Sequence, residues 1–84
     1  MKKFKALKKG STLHMLKQTN WGGYGYSFPT VNEVITINKD VVEIELDNGC
    51  SFKVLADYTK MDFGHVKLFT DGNEAERVFL EGCA

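Results

Sequence analysis

The sequence has no long apolar run and little cysteine, and each shortage excludes a class of protein. Nowhere does an apolar stretch approach the roughly 20 residues of a membrane span, and the Lys-rich start leads into polar residues, not the apolar segment of a signal peptide. Cys50 and Cys83 could form at most one bridge. We therefore expect a cytoplasmic protein with reduced thiols and no contact with a membrane.

Net charge is also absent, because eleven basic residues balance eleven acidic ones. The charge is unevenly distributed: residues 1–20 hold six lysines and no acid, so the rest of the chain is acidic. This polarity either steers an acidic partner towards the amino end or simply keeps that end in water.

No catalytic or metal-binding motif is recognisable. His14 and His65 are distant in sequence, Cys50 follows a predicted turn, and Cys83 is near the carboxyl end. None of these residues shows the paired spacing of a structural zinc site or of a catalytic pair. We therefore predict that the protein is not an enzyme and holds neither metal nor cofactor.

The length and composition predict one small globular domain spanning residues 1–84. A hydrophobic content of 43% argues against disorder, and a chain of 84 residues has no room for a second domain. Residues 1–9 are predicted to form a basic amino-terminal arm with mobile ends. Only Phe4 and Leu7 could anchor this arm.

The clearest structural signal is a β-hairpin over Val41–Leu55. A three-residue turn over Asp47–Gly49, with Gly49 left-handed, gives the ribbon one apolar face, whereas a two-residue turn would mix charged and apolar side chains on both faces. The favoured register pairs Val42 with Val54, Ile44 with Phe52, Glu43 with Lys53, Glu45 with Ser51, and Leu46 with Cys50.

Three further strands are predicted around this hairpin. The first contains Leu13 and Met15, and the last covers residues 65–69. Between them, residues 31–37 form a strand whose four-residue connection over residues 38–41 would place Ile35 and Ile37 on the buried face of the hairpin.

The remaining segments are predicted to be irregular, apart from one helix. Residues 18–30 are too glycine-rich for regular structure and are interpreted as a long aromatic loop. Residues 56–64 are interpreted as a loop or a single 3₁₀ turn that tucks an aromatic side chain inward. A helix over residues 73–81 begins at the capping residue Asp71 and packs one apolar stripe, with Ala75 and Phe79, on the sheet.

Five short strands with a terminal helix predict a mainly β protein built as a small barrel. Leu7–Leu13 resembles the opening of SH3-like barrels, a hydrophobic and a basic residue followed by Gly-Asp, with Ser11 in the place of Asp. Lys67–Arg77 resembles the Phe-x-Thr-x-x-Glu-Ala-Glu close of many small SH3-like open reading frames of bacteria and their phages, with Asp71 where Thr is usual. The resemblance implies a five-stranded SH3-like barrel and suggests a phage or mobile-element accessory protein, including an inhibitor.

The aromatic loop is the main candidate for a binding site. In SH3-like barrels the corresponding loop borders the ligand groove, so the resemblance implies a protein or peptide site here. Rings with few rotatable bonds are frequent in interface hot spots. Alternatively, the same rings cap an open end of the barrel, and in either case we expect Trp21 to be partly buried. The predicted partner-binding residues are Trp21, Tyr24, Tyr26, Phe28 and Tyr58, the last from the neighbouring loop.

An alternative function is binding of RNA or of single-stranded nucleic acid. Ammonium groups of the arm would neutralise phosphates while bases stack on Trp21 and Tyr24. The zero net charge and the single arginine of the chain argue against this alternative. The lysines concerned are Lys2, Lys3, Lys5, Lys8 and Lys9. The oligomeric state is not predicted by any feature of the sequence.

Overall fold

The computed structural model describes residues 2–82, which form a mainly β protein with one carboxyl-terminal helix. After a 3₁₀ turn at Phe4–Ala6, seven strands precede the helix. They are β1 (His14–Gln18), β2 (Tyr24–Ser27), β3 (Val31–Thr36), β4 (Val41–Leu46), β5 (Ser51–Leu55), β6 (Lys60–Asp62) and β7 (Val66–Phe69), and the helix is α1 (Gly72–Gly82).

The strands form two antiparallel sheets. The central sheet has the order β3-β4-β5, and the terminal sheet, whose strands come from both ends of the chain, has the order β2-β1-β7-β6. The two sheets are not closed into a barrel. The described residues form seven strands, whereas the sequence predicts five. The SH3-like arrangement stays a prediction. No helix within residues 2–82 is long and apolar enough to cross a membrane.

The central hairpin confirms the predicted register. Val42 pairs with Val54, Ile44 with Phe52, and Glu43 with Lys53. Gly49 has a φ of +88°, and its amide donates to the Leu46 carbonyl at 3.1 Å, as the three-residue turn requires. One face of the hairpin is buried in the core, and the other carries Glu43 and Lys53 towards solvent.

The predicted register of β3 is wrong by one residue. Val34 pairs with Ile44, and Ile35 pairs with Glu43, so that Ile35 and Ile37 lie on the outer face and are 37% and 47% exposed. The turn before β4 causes the shift. The Ile37 amide donates to the Val41 carbonyl at 3.0 Å, so the turn has three residues, 38–40, and the Asn38 side chain holds it by accepting from the amides of residues 40 and 41. An irregularity between residues 31 and 33 lies at the other end of β3.

The amino-terminal arm is anchored in the core by Phe4 and Leu7, the two residues predicted to hold it. Phe4 is fully buried and Leu7 is 6% exposed, both in the main hydrophobic cluster between the sheets. The Phe4 amide donates to the Tyr58 carbonyl at 2.8 Å, which fixes the arm against the segment before β6. Tyr58 and Phe63 are 55% and 41% exposed, so the prediction that residues 56–64 tuck an aromatic side chain inward is wrong.

The helix covers the other face of the terminal sheet, as predicted from its apolar stripe. Ala75 is fully buried with Leu16 and Phe69, and Val78 and Phe79 pack against this second cluster. Asp71 caps the helix, because its carboxylate accepts from the amide of residue 73 at 3.2 Å. The terminal sheet is thus covered on both faces near β1.

Two segments that were predicted to be irregular contain strands. Residues 18–30 include β2, which pairs with β1 along its whole length, and residues 56–64 include β6, which pairs with β7. Gly25 is tolerated inside β2 because the neighbouring tyrosines pack against the helix and the strand pairs with β1 on one side.

Candidate functional site

Trp21 is displayed at the tip of the β1–β2 hairpin. The turn is braced by Thr19, whose amide donates to the Gly23 carbonyl at 2.9 Å and whose hydroxyl accepts from the Trp21 amide at 3.3 Å. Gly22, with a φ of +87°, closes the turn. Trp21 is 93% exposed, so the expectation that it is partly buried is wrong. The hairpin holds a large aromatic ring in water on a fixed backbone.

Tyr26 and Phe28 form an aromatic cluster beside the helix. Their rings stack with centroids 4.6 Å apart, and the Phe79 ring meets Tyr26 edge-on at 5.5 Å. His14 meets the edge of Phe28 at 5.5 Å and lies within 3.1 Å of the Tyr26 hydroxyl through Nδ1. Tyr26 is half-buried, whereas Phe28 remains 61% exposed.

The helix approaches these rings closely because glycines stand at both of its ends. A Cβ at Gly72 would lie 2.9 Å from the His14 ring, and a Cβ at Gly82 would lie 2.5 Å from the Tyr24 ring. Tyr24 is also half-buried, with the Lys67 ammonium 5.7 Å from its ring centroid. Tyr24 and Tyr26 therefore serve mainly to seat the helix on β2.

A cavity of about 430 Å³ opens between β2 and the helix. Its apolar wall includes Tyr26, Phe28 and Leu80, and Glu76 supplies a carboxylate. Burial raises the pKa of the Tyr26 hydroxyl, and the Glu76 and Asp71 carboxylates raise it further. The cavity is therefore apolar with an acidic rim.

Tyr58 lies away from the other predicted binding residues. It precedes β6, at the opposite edge of the terminal sheet from β2, and is 55% exposed. It lines a separate groove of about 440 Å³ with Leu55, Met61 and Val78. The prediction that this segment lies beside the aromatic loop is wrong, because two strands, β1 and β7, separate β2 from β6.

Ion pairs border this second groove. Lys60 lies 3.0 Å from Glu74 of the helix, and Lys67 donates to Asp62 at 2.7 Å. This one hydrogen bond, donated by the Lys67 ammonium to the Asp62 carboxylate, lowers the pKa of Asp62 and raises the pKa of Lys67. Each cation here already has an acidic partner.

The lysines of the arm do not meet Trp21. Lys3 and Lys5 both face Asp57, at 3.8 Å and 2.7 Å, and the hydrogen bond from Lys5 lowers the pKa of that carboxyl. The Lys2 carbonyl accepts from Thr70, which follows β7 at the end of the terminal sheet where β1 begins. Trp21 lies beyond the other end of β1.

The remaining lysines and reactive side chains are also dispersed. Lys8 and Lys9 line a shallow depression with Glu33. Cys50 is exposed after the β4–β5 turn, in the other sheet from His14, and Cys83 lies outside the described residues. Across residues 2–82, no three His, Cys, Asp or Glu side chains come together in a possible metal site.

The residues missed by sequence reasoning lie on the helix, where Glu76 and Leu80 border the cavity next to β2. A signal for β2 was present. Asn20-Trp21-Gly22 repeats the turn chemistry of Asp47-Asn48-Gly49, and both turns carry a left-handed glycine at the third position. A three-residue turn over residues 20–22, like the one over residues 47–49, would pair residue 17 with 25 and residue 15 with 27, and these pairs are observed.

Comparisons of the chain with protein-family models, with curated proteins and with solved structures found no match.

Proposed function

We propose that this protein is a non-enzymatic binding module that engages another protein through the β1–β2 hairpin. The observation that carries the proposal is the 93% exposure of Trp21 on a turn held by Thr19. Burying a ring of this size in an interface removes much apolar surface from water, and its backbone needs no further ordering. Phe28, which follows β2, adds a second exposed apolar side chain.

The proposed site is narrower than the one predicted from the sequence. It contains Trp21 and Phe28, with Tyr24 and Tyr26 as the packed layer beneath, and it leaves out Tyr58. An SH3-like arrangement and a role as a phage or mobile-element accessory or inhibitor protein remain proposals that rest on the sequence resemblance alone.

The test is affinity capture from a lysate of the source cell with three forms of the full chain. The forms are the unchanged protein, Trp21→Ala, and Tyr58→Ala as the matched control for an exposed aromatic on the other sheet edge. We expect a partner that the unchanged protein and the control retain and that Trp21→Ala loses. A hot-spot tryptophan contributes about 2 kcal/mol or more, which weakens binding by about 30-fold.

Circular dichroism and urea unfolding of Trp21→Ala complete the test, because the ring makes few contacts and its loss should leave both unchanged. Retention of every captured protein by a folded Trp21→Ala variant would contradict the proposal.

Nucleic-acid binding remains the alternative. It has less geometric support, because Lys2 lies at the end of the terminal sheet opposite Trp21, and Lys3 and Lys5 face Asp57. Lys8 and Lys9 lie beside β3 of the central sheet. Trp21 is the only tryptophan, so its fluorescence reports on this site alone. Quenching by short single-stranded RNA at low salt that disappears at high salt would favour the alternative over protein binding.

A further inference from the structure

β2 is an edge strand of the terminal sheet and pairs only with β1. Its hydrogen-bonded pairs with β1 fall at odd positions, since Thr19 donates to Gly23 and Leu13 donates to Pro29. Antiparallel pairing alternates, so the peptide groups at the even positions, Tyr24, Tyr26 and Phe28, point away from β1 along the open edge.

This edge lacks the charges that the other edge strands carry. Charges and irregularities normally prevent an edge from pairing with another chain. The other three edges in the described chain each have them: β3 carries Glu33 and a register shift, β5 carries Lys53, and β6 carries Lys60 and Asp62. The sequence of β2 is Tyr-Gly-Tyr-Ser, without a charge.

The most exposed apolar side chains lie around the same edge. Trp21 is 93%, Phe28 61% and Leu80 60% exposed, and no other large apolar residue of the described chain exceeds these values. Trp21 precedes β2, Phe28 follows it, and Leu80 borders the cavity on its helix side. An open backbone edge and apolar side chains thus coincide in one place.

The charge next to the edge indicates the chemistry of the partner. Glu76 borders the cavity, and no Lys, Arg or His within residues 2–82 lies within ion-pair distance of its carboxylate. Side chains of an added strand alternate between faces, so two residues spaced i and i+2 would both face the helix. An apolar side chain at one of these two positions would enter the cavity, and a basic side chain at the other would pair with the Glu76 carboxylate.

We propose that β2 accepts an extended segment of a partner protein as an additional strand, with an apolar and a basic side chain at alternate positions towards the helix. This inference rests on the proposed function and specifies its binding mode. Pairing of β2 with a second copy of itself fits less well, because residues 24–28 contain no cation for Glu76.

The test selects peptides from a random display library against the full-length protein. We expect enrichment of peptides in which an apolar and a basic residue are separated by one position. The Glu76→Lys variant should bind the selected peptide at least tenfold more weakly and should gain affinity when the basic residue is replaced by Glu. Glu81→Lys, at another exposed acid of the same helix, is the matched control and should not reverse the preference.

N-methylation of the selected peptide tests strand addition itself. Only every second amide of an added strand bonds to β2, so methylation at one set of alternate positions should abolish binding and methylation at the other set should not. Equal loss for both sets, no enrichment, or self-association that excludes the peptide would overturn the inference. Trp21-dependent capture of a partner would still stand in each of these cases, so the two failures are distinguishable.

Discussion

Replacing Phe4 by alanine should destabilise the whole domain, although the residue lies in a short basic arm. Phe4 is fully buried in the main cluster. A phenylalanine removes about 150–250 Å² from water on burial, and at about 25 cal/mol per Å² this corresponds to about 4–6 kcal/mol. Partial collapse of the site and the methyl group that remains reduce the expected loss to about 3–5 kcal/mol.

That loss is large for a protein of this size. At about 0.05–0.15 kcal/mol per residue, 84 residues have a total stability of about 4–13 kcal/mol. Urea unfolding followed by circular dichroism would therefore show a much lower midpoint for Phe4→Ala, or a partly unfolded population without denaturant. Phe4→Leu keeps most of the volume and provides a measurable intermediate value.

The matched control is Phe28→Ala, the same substitution at a residue that is 61% exposed. We expect it to cost less than about 1 kcal/mol, since it leaves no buried cavity. Equal losses for the two alanine variants would refute the conclusion that the arm is part of the core.

Two further perturbations test local features. Gly49→Ala should lower the free energy of unfolding by about 1 kcal/mol, because the residue has a φ of +88°. Gly25→Ala should not lower it, because Gly25 has no positive φ, a new Cβ would make only ordinary contacts, and alanine has less chain entropy to lose on folding. The hydrogen bond from Lys67 lowers the pKa of Asp62 in the folded state. Its stabilising contribution is therefore present above about pH 4, the ordinary pKa, and is lost as the pH falls through the folded-state pKa. Asp62→Asn should make the urea midpoint fall less steeply in acid, and an unchanged acid dependence would contradict this assignment.

The central hairpin could be predicted from the sequence because its determinants are local. Asp47-Asn48-Gly49 specifies one turn, and the alternation on both sides allows one register with a clean apolar face. The helix followed from Asp71 and its apolar spacing in the same way. In both cases a few residues that are close together in sequence determine the local structure.

The predictions from sequence were wrong for segments whose structure is determined by packing or pairing with distant residues. Gly22, Gly23 and Gly25 favour a loop locally, but pairing with β1 and packing against the helix make β2 a strand. In β3, both Val34 and Ile35 could face the core, and the side chain of Asn38 decides by holding a three-residue connection.

The sequence predicted which aromatic residues are candidates for the site, but not their positions relative to one another. Trp21 and Phe28 are exposed on the β1–β2 hairpin, whereas Tyr58 is on another edge and Glu76 comes from the helix. Trp21 and Phe28 are separated from Tyr58 by the strand order of the terminal sheet. That order depends on pairing between distant segments and could not be predicted from local sequence.

The strand order also affects when each part of the molecule can form. Every partner in the central sheet comes from residues 31–55, so that sheet can fold from neighbouring segments alone. The terminal sheet pairs Met15 with Leu68 and must close a much longer loop, which makes its formation slower. During synthesis, β1 and β2 leave the ribosome before β7 and the helix, which complete the terminal sheet and its cover. The cavity proposed to receive a partner's side chains therefore forms only after the helix has been made.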